Sequence, residues 1–220
     1  MDKKRKLPAI DEPAKRCFPL ADIRAVVENE TESIIDGHAA IFGQKANIYD
    51  WFYEVIERGA FDECDFTDVL FCINHDTRKI PLARSRNNNA NSTMQLQVDD
   101  KGLYIRASVD TENNAEAKAL YSSVGRGDID GMSFIFYVKE ERWEDLDTDM
   151  PTRHVLKIRK VREVTAASMP FYTGTDINAR DQAALDNAAR VLDNARSTLD
   201  SEKKEREALK QYKQAILAER

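Results

Sequence analysis

Three side chains of this sequence have the types needed for nucleophilic acyl chemistry, and each sits at or in a strand-like segment. Ser133 lies near the mouth of Met132-Ser133-Phe134-Ile135-Phe136-Tyr137-Val138, which alternates in period two as a buried strand does. A polar turn with two glycines, Gly127 and Gly131, precedes it. A serine beside glycine has little bulk around its Oγ, and it lies where backbone N–H groups can converge on a bound carbonyl. Most strand serines only bond their neighbours, so the chain must also supply a base and a group to orient it. His75 follows the apolar run Val69-Leu70-Phe71-Cys72-Ile73, and an imidazole at a strand end is well placed for a general base. Glu163, between Val161 and Val164, reads as a partly enclosed carboxylate that needs a partner. His75 would serve: one ring nitrogen on the carboxylate, the other free to deprotonate Ser133. Each of the three also admits a structural role, and spacing alone does not choose. Of the other histidines, His38 reads as packing within a strand and His154 as surface beside an acidic loop.

These residues must be positioned by a β-rich α+β domain over residues 18–178. The pattern predicts strands over Gly37–Phe42, Tyr49–Ile56 and Val69–Ile73, and a hairpin joining Met94–Val98 to Leu103–Val109 across Asp99–Gly102. A helix is expected from Asn113 to Val124, capped by Gly125. The segment Glu140–Asp149 reads as an exposed acidic excursion. Val155–Ile158 and Val161–Ala167 read as two strands or one bent strand, ended by Pro170. Residues 1–17, charged and with two prolines, read as a flexible arm whose feature is Lys3-Lys4-Arg5-Lys6. From residue 179 to 220 the chain turns helical, with Leu185, Leu192 and Leu199 seven residues apart, too short a repeat for a coiled coil. This extension is expected to pack on a partner, another copy or a scaffold; folding back on its own domain is the other arrangement.

Composition narrows the function classes. A net charge of −6 offers no broad basic surface for phosphates, so nucleic acid is not an expected partner. Three cysteines, Cys17, Cys64 and Cys72, contain no C-x-x-C pair, which points away from disulfides and zinc and toward a reducing compartment. The cluster Asp62, Glu63, Asp65 and Asp68 matches no calcium-loop spacing. No metal or cofactor is expected. The N-terminus lacks an apolar run, so neither signal peptide nor membrane span is expected, and the protein reads as made in a cytoplasm.

Several segments stand together in one order: Ile35-x-Gly37-His38-Ala39-Ala40-Ile41-Phe42; Glu54-Val55-Ile56-x-x-Gly59-Ala60-Phe61; Asn74-His75-Asp76; Gly127-Asp128-Ile129-Asp130-Gly131-Met132-Ser133-Phe134; and Glu163-Val164-Thr165 to Pro170. This resembles the prohead (procapsid maturation) proteases of tailed bacteriophages, a family similar in fold to the assembly proteases of herpesviruses. The resemblance covers about residues 18–178. It implies a herpesvirus-protease-like β-barrel with surrounding helices, followed by the C-terminal helical extension. It further implies a serine endopeptidase with Ser133 as nucleophile, His75 as base and Glu163 as third member, where herpesvirus relatives use a second histidine. The implied substrates are the capsid protein's removable segment, the scaffold and the protease itself, and the implied location is the procapsid inside the host cytoplasm. By the herpesvirus analogy, oxyanion donors would come from Tyr172-Thr173-Gly174. Two departures are visible: His38 stands where the family commonly has tyrosine, and Leu82-Ala83-Arg84-Ser85 lacks the usual glycine. The competing reading is a non-catalytic scaffold or assembly protein that self-associates through its C-terminal helix.

Overall fold

The computed structural model describes residues 14–18, 22–29, 32–48, 50–168 and 179–218. In chain order the strands and helices are β1 (Ala14–Phe18), β2 (Arg24–Asn29), β3 (Glu32–Ile41), β4 (Ala46–Ile48), β5 (Phe52–Ile56), β6 (Val69–Ile73), β7 (Ala83–Ser85), β8 (Met94–Val98), β9 (Gly102–Val109), α1 (Ala115–Arg126), β10 (Gly131–Glu144), β11 (Thr152–Ala167) and α2 (Ala179–Ala218). The chain is therefore α+β and strand-rich, with two helices among the described residues. The strands fall into two sheets, β1-β10-β11-β5-β4 with β6 and β7 attached to β11, and β2-β3-β9-β8. No hydrogen-bonded ring closes among them, so the expected barrel is not what this topology displays. Phe52, Phe71, Phe134, Phe136, Ile35 and Ile105, drawn from both sheets, belong to one buried core.

β11 organises the larger sheet. Its first half pairs in parallel with β5, from Thr152 opposite Tyr53 to Val155 opposite Ile56. Its second half pairs in parallel with β6, from Glu163 opposite Leu70 to Ala166 opposite Ile73. Its other edge runs antiparallel to β10 along nearly the full length of both strands, with register shifts that mark bulges. Of the two arrangements expected for this segment, two strands or one bent strand, the structure has the single strand, 16 residues long.

Local chemistry explains most elements. In the β8–β9 hairpin, Asp99 Oδ1 accepts the backbone N–H groups of Lys101 and Gly102, an Asx turn. Asn114 caps α1 by accepting from the N–H groups of Glu116 and Ala117. That helix runs past Gly125 and ends at Gly127, which takes the left-handed conformation (φ 75°) a C-terminal cap requires.

Three further expectations change. The residues up to Glu144 continue β10 rather than forming a loop, because their charges find cross-strand partners: Glu141 accepts from Arg153, which also donates to the buried Glu54. The presumed arm contributes β1, paired antiparallel with β10, over its last residues; residues 1–13 lie outside the described part. The described near half of α2 folds back on its own domain: Ala188 and Leu192 are buried in the core, and Arg196 donates to the carbonyls of Leu146 and Thr148. Residues 201–214 are exposed. Among the described residues, no helix is long and apolar enough to cross a membrane.

Candidate active site

The second half of β11 brings the candidate residues together. Ser133 on β10 lies opposite Thr165 on β11, and Cys72 on β6 lies opposite the same Thr165 from the other side. Glu163, two residues before Thr165, points to the same face of the strand. β6 ends at Ile73, and the chain reverses through Asn74 and His75, both in the left-handed region (φ 49° and 59°). Such a pair of non-glycine residues is uncommon and must be held by its surroundings. The Asn74 N–H donates to the Ala166 carbonyl at 3.0 Å, and Asn74 Oδ1 accepts the Ser168 N–H at 3.0 Å. The His75 N–H donates to Thr165 Oγ1 at 3.1 Å.

This reversal aims the imidazole back over the sheet. His75 Nδ1 lies 2.5 Å from Glu163 Oε1, and Nε2 lies 2.7 Å from Ser133 Oγ. A carboxylate only accepts, so Nδ1 carries the proton, and Nε2 is left with the lone pair that accepts the Ser133 O–H. Ser133, Glu163 and Thr165 have no exposed surface, whereas the His75 side chain is 10% exposed. Glu163 Oε2 is buried and has no hydrogen-bond partner among the described residues. The imidazole is thus the compensating partner of a carboxylate shut away from water.

The neighbouring thiol is not a competing nucleophile. Burial, and then the adjacent Glu163 charge, pushes the Cys72 thiol up to about 12, so it stays protonated near neutral pH. A cleft beside the site is lined by Cys72, Asn74, Asp76 and Leu82, with the exposed Ile80 at its rim and the Lys79–Glu116 ion pair across it.

The remaining histidines lack the geometry for a base. Both His38 ring nitrogens meet carboxylates, Nδ1 with Asp22 at 2.9 Å and Nε2 with Asp99 at 3.0 Å. His154, expected at the surface, is largely enclosed, with Nδ1 on Glu57 at 2.6 Å. Three of the four residues in the acidic cluster are spent on ion pairs: Glu63 with Lys139 and Lys157, Asp65 with Lys160, and Asp68 with Arg84. Among the described residues, no group of His, Cys, Asp and Glu is arranged to hold a metal ion. Tyr172-Thr173-Gly174 lie outside the described residues. Thr165 is a site residue that the sequence does not reveal. Nothing distinguishes it from other β-branched strand residues until the register places it between Ser133 and His75.

A hydroxyl, an imidazole and a buried carboxylate linked by two hydrogen bonds can activate the hydroxyl for attack on an acyl carbonyl, the chemistry of serine hydrolases. Residues 21–189 match the model of the Caudovirus prohead serine protease family, and the chain belongs to that family. It is 27% identical over 143 residues to the prohead protease of Enterobacteria phage HK97; the match covers 63% of this chain and 56% of that protein. The chain thus spans little more than half the length of that relative. It is also similar to the solved capsid assembly protease of bacteriophage T4, at 13% identity and a TM-score of 0.39 over 71% of this chain and 99% of that one.

Proposed function

We propose that this chain is a serine endopeptidase that processes phage procapsid proteins during head maturation: the scaffold, the capsid protein's removable segment and itself. The observation that carries the reading is the hydrogen-bonded chain Glu163–His75–Ser133. Ser133 Oγ attacks the scissile carbonyl carbon while His75 Nε2 takes its proton. The tetrahedral intermediate collapses, the C–N bond breaks, and Nε2 returns the proton to the leaving amine. Water repeats the sequence and frees the acid. Glu163 holds the Nδ1–H tautomer and offsets the charge of the imidazolium as it forms. Family membership supports the substrate class and a workplace inside the procapsid within the host cell. The strand-rich fold and the histidine–serine pair support a relation to the herpesvirus assembly proteases, from which the glutamate sets this chain apart. Residues 18–178 act as the protease domain in this reading, with α2 as an extension that docks on it.

The test is direct. Purified wild-type protein, mixed with scaffold and capsid protein, should release fragments that mass spectrometry maps to discrete sites. Ser133→Ala should leave all chains whole, a loss of several orders of magnitude in rate. Glu163→Gln should lower kcat by roughly 10²- to 10⁴-fold. Equal fragmentation by wild type and Ser133→Ala would remove the enzyme reading. Intact chains in both, with particles assembled, would point to the scaffold reading.

A further inference from the structure

We propose that the edge of β10 facing β1 is the docking surface for the extended backbone of a peptide substrate, and that β1 fills it in the resting chain as an intramolecular competitor. This rests on the endopeptidase reading above. β1 runs antiparallel to β10 with Phe18 opposite Met132, Cys17 opposite Ser133, Arg16 opposite Phe134 and Ala14 opposite Phe136. β11 occupies the other edge of β10 along its length. Among the described strands β1 is the outermost on this side of the sheet, so its place is where a further strand pairs with the nucleophile's own strand.

Ser133 has no exposed surface in this arrangement. A reacting carbonyl carbon must come within about 3–3.5 Å of Oγ, so some neighbour has to leave before substrate enters. β11 cannot, since it carries Glu163 and Thr165. Nor can the β6 end, which carries His75. Among the described strands around Ser133, β1 is the one whose departure leaves all three side chains in position.

The chemistry of the vacated edge defines its ligand. A strand edge presents a row of N–H and C=O groups that any extended peptide can pair with, whatever its side chains. Main-chain pairing supplies affinity there, and it aligns one residue of the incoming strand with Ser133, as Cys17 is aligned in the resting chain. A competitor tethered in the same chain acts at an effective concentration on the order of millimolar. Dilute substrate therefore loses to β1, whereas substrate confined with the enzyme at high density competes on equal terms. The arrangement keeps peptide cleavage low until enzyme and substrate are enclosed together.

Binding can be measured without cleavage. A fluorescein-labelled synthetic peptide carrying residues 11–21 is titrated into the full chain bearing Ser133→Ala, with and without Lys15→Pro and Arg16→Pro. Adjacent strand residues direct their N–H groups to opposite edges, so one of the two prolines removes a donor from the β1–β10 ladder whichever way it faces. The peptide should bind the proline-bearing chain about tenfold or more tightly than its parent. With Ser133 intact, the same prolines should raise kcat/KM for a peptide substrate, mainly through a lower KM. Equal affinity for the two chains, or no binding to the proline-bearing chain at an unchanged melting temperature, overturns the proposal. Should that chain fail to fold, amide exchange in the Ser133→Ala chain decides instead. The β1-facing amides of Met132–Phe136 should exchange slowly with and without excess peptide, because the peptide takes β1's place on the same edge, while the β10-facing amides of β1 should speed up as it is displaced; loop-like exchange without peptide, or β1 amides unchanged by saturating peptide, overturns it. Peptide binding without any cleavage by wild type would sink the endopeptidase reading and leave the docking edge standing.

Discussion

Thr165 stands opposite Ser133 on the β10–β11 ladder, and its hydroxyl accepts the backbone N–H of His75 at 3.1 Å. One side chain therefore fixes the distance between the strand that carries the hydroxyl and the turn that carries the imidazole. Thr165→Val keeps the shape and removes the acceptor. It should lower kcat/KM about tenfold or more by letting the imidazole drift, at a stability cost of about 1 kcal/mol. Steady-state cleavage of a labelled peptide beside a thermal melt checks both, and wild-type kinetics in Thr165→Val would remove the role. Thr165→Ser, which restores the hydroxyl, should recover most of the activity.

Cys64 and Cys72 should resist alkylation in the folded protein. Burial raises both thiols to about 12, against an ordinary value of 9.0. The thiolate is the reactive species, so at pH 8 iodoacetamide should modify neither thiol until guanidinium unfolds the chain, and cleavage should survive treatment. Peptide mapping by mass spectrometry reads the outcome. Rapid labelling of native Cys72 would contradict its environment.

Acid should release Asp22 from His38. Burial raises the Asp22 carboxyl, but hydrogen bonds from the His38 ring and backbone outweigh it and bring the value down from 3.8 to about 2. A depressed carboxylate stabilises the fold fully above its unfolded value, and that contribution is lost as pH falls from about 4 toward 2. The side chain is 42% exposed, so solvent screening holds the effect to about 1 kcal/mol or less. The gap in melting temperature between wild type and Asp22→Asn should be present at pH 6 and close as pH falls through this window. A gap that stays constant to pH 2 would show that the carboxylate's charge contributes nothing.

The two halves of α2 should behave differently. Leu192→Ala removes a side chain that is 7% exposed within the core and should cost about 2 kcal/mol. Stopping the chain after Asp200 removes residues that are exposed throughout 201–214 and should leave the melting temperature nearly unchanged. Calorimetry of the two variants distinguishes them, and equal destabilisation would mean the far half is also packed.

Much of the site was legible because its polar residues interrupt apolar runs. A histidine just past five apolar residues, a serine within an alternating run and a carboxylate among valines each stand out locally. The β8–β9 hairpin was legible for a similar reason, since Asp99 closes its turn from within the turn itself. What escaped depends on partners far along the chain. Arg153 holds Glu141 and Glu54 together, which lets a run of charges stay in strand form. α1 ends two residues beyond its expected end because Gly125 fits a helical interior, while the left-handed turn falls at Gly127. β1 was hidden because a short charged segment becomes a strand only when an edge is available to it.

The long β10–β11 ribbon has a further consequence for how the molecule comes apart. Ser133, Glu163 and the anchor of His75 all ride on its most enclosed rungs, in the interior of the larger sheet. Segments that open by local fluctuation are those with few buried contacts, and here these include the far end of α2. On gentle heating, fraying therefore begins at a distance from the chemistry. The capacity to cut should persist while peripheral signals decay, then vanish in one cooperative step as the ribbon separates.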